Sequence, residues 1–448
     1  MYKEELPMRT VIENGWILTM DSADTCYENG YIIIEGDRIT HVGKGPAPAD
    51  LQAGASCVDA GGSIVMPGMI NTHCHVSMIP FRTMGDDCPD RLRRFLFPLE
   101  EKAVTPQLVY WGALYGIAEM LLSGITTFLD MYYFEDQVAE ACRDAGIRGF
   151  LGETVIGQKT CDSEAPYGGL DYGREFIQKW KGDPLVSPLI APHGTNTNQP
   201  EFLEKAYALA CEYDTLYTLH ASEMDYEMDY FAREYHQTPT EFLHALGVLS
   251  PRTLLAHCIH MTESDLDRIA AAGASVSHCI GSNTKAGKGV SPVKAMLERG
   301  IPVGLGTDGP SSGNTLSMFT QFRLFASFHK TENRDRSLFP ARDIVRLGTR
   351  TGAKALGAAD RIGTLEPGKQ ADIVMVERDS INMFPCYNPY SALVYSAERA
   401  NVDRVWVAGQ ERVRHGRLTG LDEAEIRRRL LEQMPDFLEK SREFASII

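Results

Sequence analysis

Short apolar runs recur through the middle of the chain, and longer stretches with apolar residues at helical spacing separate them. In order the runs are SIVMPGMINTH, GITTFLDMY, RGFLGETVI, VSPLIAPH, LYTLHAS, TLLAHC, ASVSHC and PVGLGTD. Segments between them, such as EFLEKAYALACEYD and ESDLDRIAAAG, read as amphipathic helices. Eight strand candidates alternating with helices over roughly 250 residues have the size and rhythm of a (β/α)8 barrel of the TIM type. An open doubly wound sheet is the competing arrangement. No G-x-G-x-x-G opens a helix after a strand, which counts against its dinucleotide-binding form.

Both ends of the chain follow another rhythm. VIENGWILTMD, YIIIEGDRITHVG and SCVDAGGSIVM are Val/Ile-rich and punctuated by Asn-Gly, Gly-Asp and Gly-Gly, and GTLEPGKQADIVMVE and RVWVAGQERVRHG repeat the style near the other end. Residues 1–63 and 364–448 are therefore expected to form one small β domain, with the barrel at 64–363. The charged amphipathic helix LDEAEIRRRLLEQMPDFLEKSREFA is assigned to that β domain as a surface or interface element.

Charge and composition narrow the partners. The 448 residues carry a formal net charge of −16 with no Lys/Arg-rich block, which disfavours nucleic acid. MYKEELPMRT has neither the basic start nor the apolar stretch of a signal peptide, and no run approaches the ~18 apolar residues of a membrane span. The 10 cysteines are scattered without a C-x-x-C, as expected of reduced thiols in a cytoplasm.

The chemistry lies at the ends of the apolar runs. In INTHCHVSM, His73 and His75 project from one face of a strand and can converge. His193, His220, His257 and His278 finish later runs, Glu223 follows His220 by three residues, and Asp308 ends the last run. In a barrel these strand ends share one mouth. Imidazoles and a carboxylate converging there suit one divalent transition metal, zinc or ferrous iron. His73, His75, His220 and Asp308 are the expected ligands, with a position left for water. Cys74, Cys258 and Cys279 are read as small core residues beside the site rather than ligands.

PGMINTHCH at 67–75, LHASE at 219–223, LAHCIH at 255–260, GLGTDG at 304–309 and GTLEPGKQADIV at 363–374 together resemble the amidohydrolase superfamily. Within it the chain is similar to the cytosine-deaminase-like branch, which holds chlorohydrolases, guanine deaminases and methylthioadenosine/S-adenosylhomocysteine deaminases. The resemblance implies a barrel beside a β-sandwich made from both chain ends, and a mononuclear site, since His193 stands where binuclear relatives carry a lysine. FPLE, FLGETV, SHCIGSNTKAGKGVSP and TDGPSSGNTLSMF are similar to segments of the adenosine-type deaminases. By that resemblance Glu100 holds ribose hydroxyls and His193 contacts substrate, and a homo-oligomer is expected. The loop DDCPDRLRRFLFPLE departs from the pattern: it lacks a tryptophan often seen before PLE and is about two residues shorter. SHCIGSN and PSSGNT depart as well, and all three bear on the substrate more than on the reaction.

The expected reaction is hydrolytic deamination of an adenine nucleoside such as 5′-methylthioadenosine or S-adenosylhomocysteine. A metal lowers the pKa of its water toward ~7, so hydroxide becomes available at neutral pH. Asp308 accepts the proton as it forms and later passes it to the leaving amine; His257 orients the attacking oxygen, with His260 as the alternative. Glu223 supplies the proton that the ring nitrogen needs as aromaticity is lost. A turn beginning at Ala221 must bring it back toward the mouth. His278 is expected to contact substrate, and Arg82 either to reach a substrate carboxylate or to pair with Asp86 or Asp87. The competing readings are hydrolysis of another heterocycle (guanine, a pterin, a triazine) and a metal-binding protein without catalysis.

Overall fold

The computed structural model describes residues 9–444. One sheet carries eight strands in chain order: β1 (Met69–Cys74), β2 (Ile125–Tyr132), β3 (Arg148–Val155), β4 (Val186–Pro192), β5 (Tyr217–Ala221), β6 (Thr253–His257), β7 (Ser275–His278) and β8 (Val303–Leu305). Every expected run contains one of them. Neighbouring parallel strands need crossover connections, and helices such as Pro200–Tyr213 and Glu263–Ala272 supply them. β2 and β3 are buried at every residue, as strands covered on both faces must be.

The ring closes between the last strand and the first. Asp308 N donates to His73 O at 3.1 Å, and the Asn71 side chain accepts from Thr307 N at 3.0 Å and donates to Thr307 Oγ1 at 2.7 Å. A Cβ at Gly304 would stand 2.4 Å from Thr72 Cγ2, so only glycine permits this approach. The result is the expected (β/α)8 barrel.

Both chain ends meet in a second, mixed sheet of nine strands. Ile64–Pro67 pairs antiparallel with Ile373–Val376, and Arg9–Leu18 pairs with Cys26–Glu35. Its core is Ile12, Ile17, Ile32, Val65, Ile373 and Trp406, all buried.

Contacts divide the chain into two compact units. One gathers the described residues up to Ile70 with Met120–Thr126 and Met318–Gly420; the other gathers Asn71–Glu119, Thr127–Ser317 and the described residues from Leu421 on. The division departs from the expected boundaries in four places, of which residues 64–70 and Met120–Thr126, grouped with the terminal strands, are the shorter two. Met318 to residue 363 groups with the terminal strands, and the closing helix, Glu423–Ser441, groups with the strand-end histidines. The helix owes its place to an apolar stripe, because Ile426, Leu430 and Phe437 are buried while its arginines and glutamates pair in solvent. Phe437 meets Phe81 edge to face at 4.8 Å, and the helix packs on Phe97–Ala103. Truncating Phe437 to alanine should lower stability by about 3–5 kcal/mol in denaturant unfolding. A loss below about 1 kcal/mol would mean that the ring does not anchor the helix.

Among the described residues no helix is long and apolar enough to cross a membrane. The first eight residues, read above for a targeting signal, and the last residue of the predicted helix, Ala445, lie outside the described residues.

Candidate active site

The strands deliver their polar residues to one cavity of about 500 Å³, bordered by His75, Glu100, His193, His220, Glu223 and Asp308 among others. The backbone departs from extended geometry where it delivers them. Ser222 (φ 51°), His257 (φ 72°), Cys258 (φ 47°) and Asp308 (φ 59°) all adopt left-handed conformations. Such residues cost about 1–3 kcal/mol each and persist where the surroundings over-determine them.

Two potential ligand groups overlap here. His73, His75 and Asp308 form one, His73, His220 and His257 the other, and within each the donor atoms lie within 4.8 Å of one another. His73 Nε2 is 3.1 Å from His220 Nε2, and His75 Nε2 is 3.3 Å from Asp308 Oδ1. The four expected ligands therefore come together, and His257, expected beside the metal, stands close enough to be a fifth.

The backs of three rings are satisfied by acceptors. His75 Nδ1 donates to Met131 O at 2.5 Å, His220 Nδ1 donates to His193 O, and His257 Nδ1 donates to Asn283 Oδ1 at 2.8 Å. Carbonyl oxygens can only accept, so Nδ1 carries a proton in each of the three rings and Nε2 faces inward, the orientation of metal-ligating histidines. His73 Nδ1 is buried without a partner. Imidazoles converging on an aspartate fit a divalent transition ion. Burial disfavours charge on His75, but the hydrogen bond and charge of Asp308 outweigh it and raise its pKa to about 9.

The local electrostatics agree. Burial, then the neighbouring His75 charge, holds His73 well below the ordinary imidazole value. Burial and His193 do the same to His220. Burial disfavours charge on Asp308, but the hydrogen bond and charge of His75 outweigh it and keep the carboxylate ionised.

Glu223 returns to the mouth by the turn the sequence requires. The main-chain N–H groups of Ile259 and His260 donate to Ser222 O. Glu227, wholly enclosed, accepts from Ser222 N at 3.0 Å, from Glu223 N at 2.8 Å and from the Thr195 hydroxyl. Glu223 Oε1 then lies 3.7 Å from His257 Nε2 and accepts from Lys288 Nζ at 2.5 Å. Burial raises its pKa, His257 and Lys288 pull it down further, and it rests at about 2.

The substrate-side residues divide. Glu100 is buried, accepts from Tyr132 Oη at 3.0 Å and is pushed by burial up to about 7 against the opposing pull of that bond. His193 borders the cavity, with Nδ1 3.1 Å from Thr197 Oγ1, and burial followed by His75 takes it down to about 4. His278 ends β7, is fully buried and is not among the residues that border the cavity. Arg82 pairs with Glu119, which also fixes Leu316 N, and not with Asp86 or Asp87. Asp86 is taken by Lys285 at 2.8 Å. His260 pairs with Asp225 at 3.4 Å and lies off the cavity, leaving His257 as the imidazole at the site.

Sequence reasoning missed Lys288, Glu227 and Asn283. A lysine between two glycines just after the seventh run was the available sign of the first; a glutamate capping a turn and an asparagine behind a histidine left none.

The sequence model of the Amidohydrolase family matches residues 64–412. A 5-methylthioadenosine/S-adenosylhomocysteine deaminase 1 of Syntrophus aciditrophicus is 35% identical over 96% of this chain and 98% of its own length. A 5-methylthioadenosine/S-adenosylhomocysteine deaminase of Nitratidesulfovibrio vulgaris (strain DP4) is 38% identical over 90% and 92%. Among solved structures, an adenosine deaminase from Xanthomonas campestris with bound zinc superposes with a TM-score of 0.92 at 30% identity, covering 97% of this chain and 99% of its own. An atrazine chlorohydrolase from Arthrobacter aurescens TC1 complexed with zinc gives 0.87 at 25%, covering 95% and 100%. Fold, site and full-length similarity agree: the chain belongs to the amidohydrolase family and is a hydrolytic enzyme.

Proposed function

We propose that the protein deaminates an adenine nucleoside of the 5′-methylthioadenosine or S-adenosylhomocysteine kind, with zinc held by His73, His75, His220 and Asp308 and with His257 in reach. One observation carries this: two ionised carboxylates, Asp308 and Glu223, share a cavity with inward-facing imidazole nitrogens. A bound zinc ion would supply the Lewis acidity that activates water at neutral pH.

The residues then divide the protons. Asp308 and Glu223 can each accept one of the two protons of the attacking water. The one on Glu223 passes to the ring nitrogen beside the attacked carbon, which offsets the loss of aromaticity. The one on Asp308 goes to the exocyclic amine, which leaves as ammonia while the ring carbon becomes a carbonyl. His257, its Nδ1–H held by Asn283, offers Nε2 as acceptor to the attacking water. Lys288 holds Glu223 by one oxygen.

Glu100 is assigned to the ribose. Its carboxylate accepts hydroxyl protons best when ionised, and its pKa lies at about 7. KM for nucleosides should therefore fall as pH rises through about 7, while KM for the bare base stays level. Glu100→Ala should raise nucleoside KM roughly tenfold to a hundredfold, the loss of one charge-assisted hydrogen bond, and leave the base unaffected. Equal losses on both would count against a nucleoside.

The reaction class is tested by ammonia release from adenosine derivatives, guanine, a pterin and aminotriazines, with and without chelator. Chelator-sensitive turnover of adenine nucleosides supports the proposal. Preference for a triazine or guanine would reassign the substrate, and no ammonia from any of them would leave a metal-binding protein. The expected partner is a small heterocycle, with no nucleic acid, in a homo-oligomer. All 10 cysteines are free, which supports a cytoplasmic setting.

A further inference from the structure

Two consecutive residues of β2 hold three consecutive residues where β1 ends. Asp130 Oδ1 accepts from Val76 N at 2.6 Å and from Cys74 Sγ at 3.2 Å. Met131 O accepts from the Nδ1–H of His75 at 2.5 Å. His75 is thereby fixed through its ring by one residue and through both chain neighbours by the other. Asp130 and Cys74 have no exposed surface.

The placement answers a backbone problem. β1 stops at Cys74, so the N–H of Val76 has left the sheet ladder and still needs an acceptor. The Asp130 carboxylate provides it at the point where the chain turns out of the barrel. Burying a carboxylate is unfavourable unless hydrogen bonds compensate; here Val76 N and Cys74 Sγ, which bracket a ligand, hold Oδ1, and the buried Glu135 shares a further hydrogen bond with the same carboxyl group. Tilting that backbone would swing His75 Nε2 away from Asp308, now 3.3 Å distant. Cys74 has its place in the same device: its thiol is a donor to Asp130, with Leu129 O also at 3.3 Å.

We infer that Asp130 is a positioning residue for the metal centre, acting through Val76 N and Cys74 Sγ to aim His75. The inference rests on the metal reading above. Outer residues that orient metal ligands typically change affinity by about 10–100-fold when removed.

The test uses full-length protein stripped and reloaded, with zinc affinity read by competition against a chromogenic chelator. The visible spectrum of the cobalt-loaded form reports ligand geometry. Asp130→Leu keeps the bulk without the acceptor and should weaken zinc by about 10–100-fold and shift the cobalt bands. Asp130→Asn keeps an acceptor oxygen and should restore affinity and spectrum close to wild type. Cys74→Ala removes one donor with little change in volume, and should shift the bands in the same direction by less, which decides the matter if the leucine variant does not fold. Unchanged affinity and spectrum in both the leucine and the alanine variants would overturn the inference, as would an asparagine variant as weak as the leucine one. Failure of the wild type itself to take up zinc or cobalt would take down the metal reading and the clamp with it.

Discussion

Glu223→Gln should lower the rate of ammonia release by roughly 10²–10⁴-fold with KM little changed, the usual worth of a positioned proton-transfer group. Glutamine keeps the side chain's shape and an oxygen that Lys288 can still donate to, so the arrangement survives while the proton carrier is lost. The charge goes too, leaving a largely enclosed ammonium without its counter-ion, and a modest fall in thermal midpoint should accompany the loss. Lys288→Gln separates the two effects. It leaves Glu223 able to carry protons but unanchored, and should lose less rate than Glu223→Gln. Steady-state kinetics on one nucleoside decides; turnover of Glu223→Gln at the wild-type rate would remove that carboxylate from the chemistry.

His73→Ala should abolish stoichiometric metal binding and bring activity down to that of chelated enzyme. His73 is the choice because it belongs to both overlapping ligand groups and is wholly buried, whereas loss of His75 or His257 leaves the other group whole. Binding to the folded state alone stabilises it by about 4 kcal/mol when free ion exceeds its Kd a thousandfold. Added zinc should therefore raise the thermal midpoint of the stripped wild type and not that of the variant. A His73→Ala protein that still holds one equivalent of ion, or is still stabilised by zinc, would show that the centre is assembled elsewhere.

The barrel was legible because its strands are buried on both faces and so read as unbroken apolar runs. Their ends were legible because histidines and acids are conspicuous after Val, Leu and Ala. That rule drew out His73, His75, His220 and Asp308 together with His193, His257 and His278, and the fold brings donor atoms of the first four and of His257 close to one another. The turn bringing Glu223 back could be inferred as a necessity, but its cause, Glu227 beneath two main-chain amides, could not. Lys288 and Asn283 act on residues of other strand ends, and no spacing along the chain announces such a meeting. His278 obeys the strand-end rule and is buried with the rest of β7, without bordering the cavity. Arg82 was drawn toward the nearest acids in sequence, whereas Glu119 reaches it from a helix some 37 residues on. The closing helix misled for a related reason: its charged face dominates the sequence, and three buried residues decide where it docks.

That helix orders events during biosynthesis. A nascent chain carries every group from His73 to Asp308 well before Phe437 is made, so the packing of this helix on the segment bearing Glu100 is the last part of the cavity wall to be supplied. Until then Glu100 has its bond to Tyr132 but not the helix behind it. A protein nicked ahead of Glu423 would be expected to go on holding metal while losing its preference for nucleosides over bare bases.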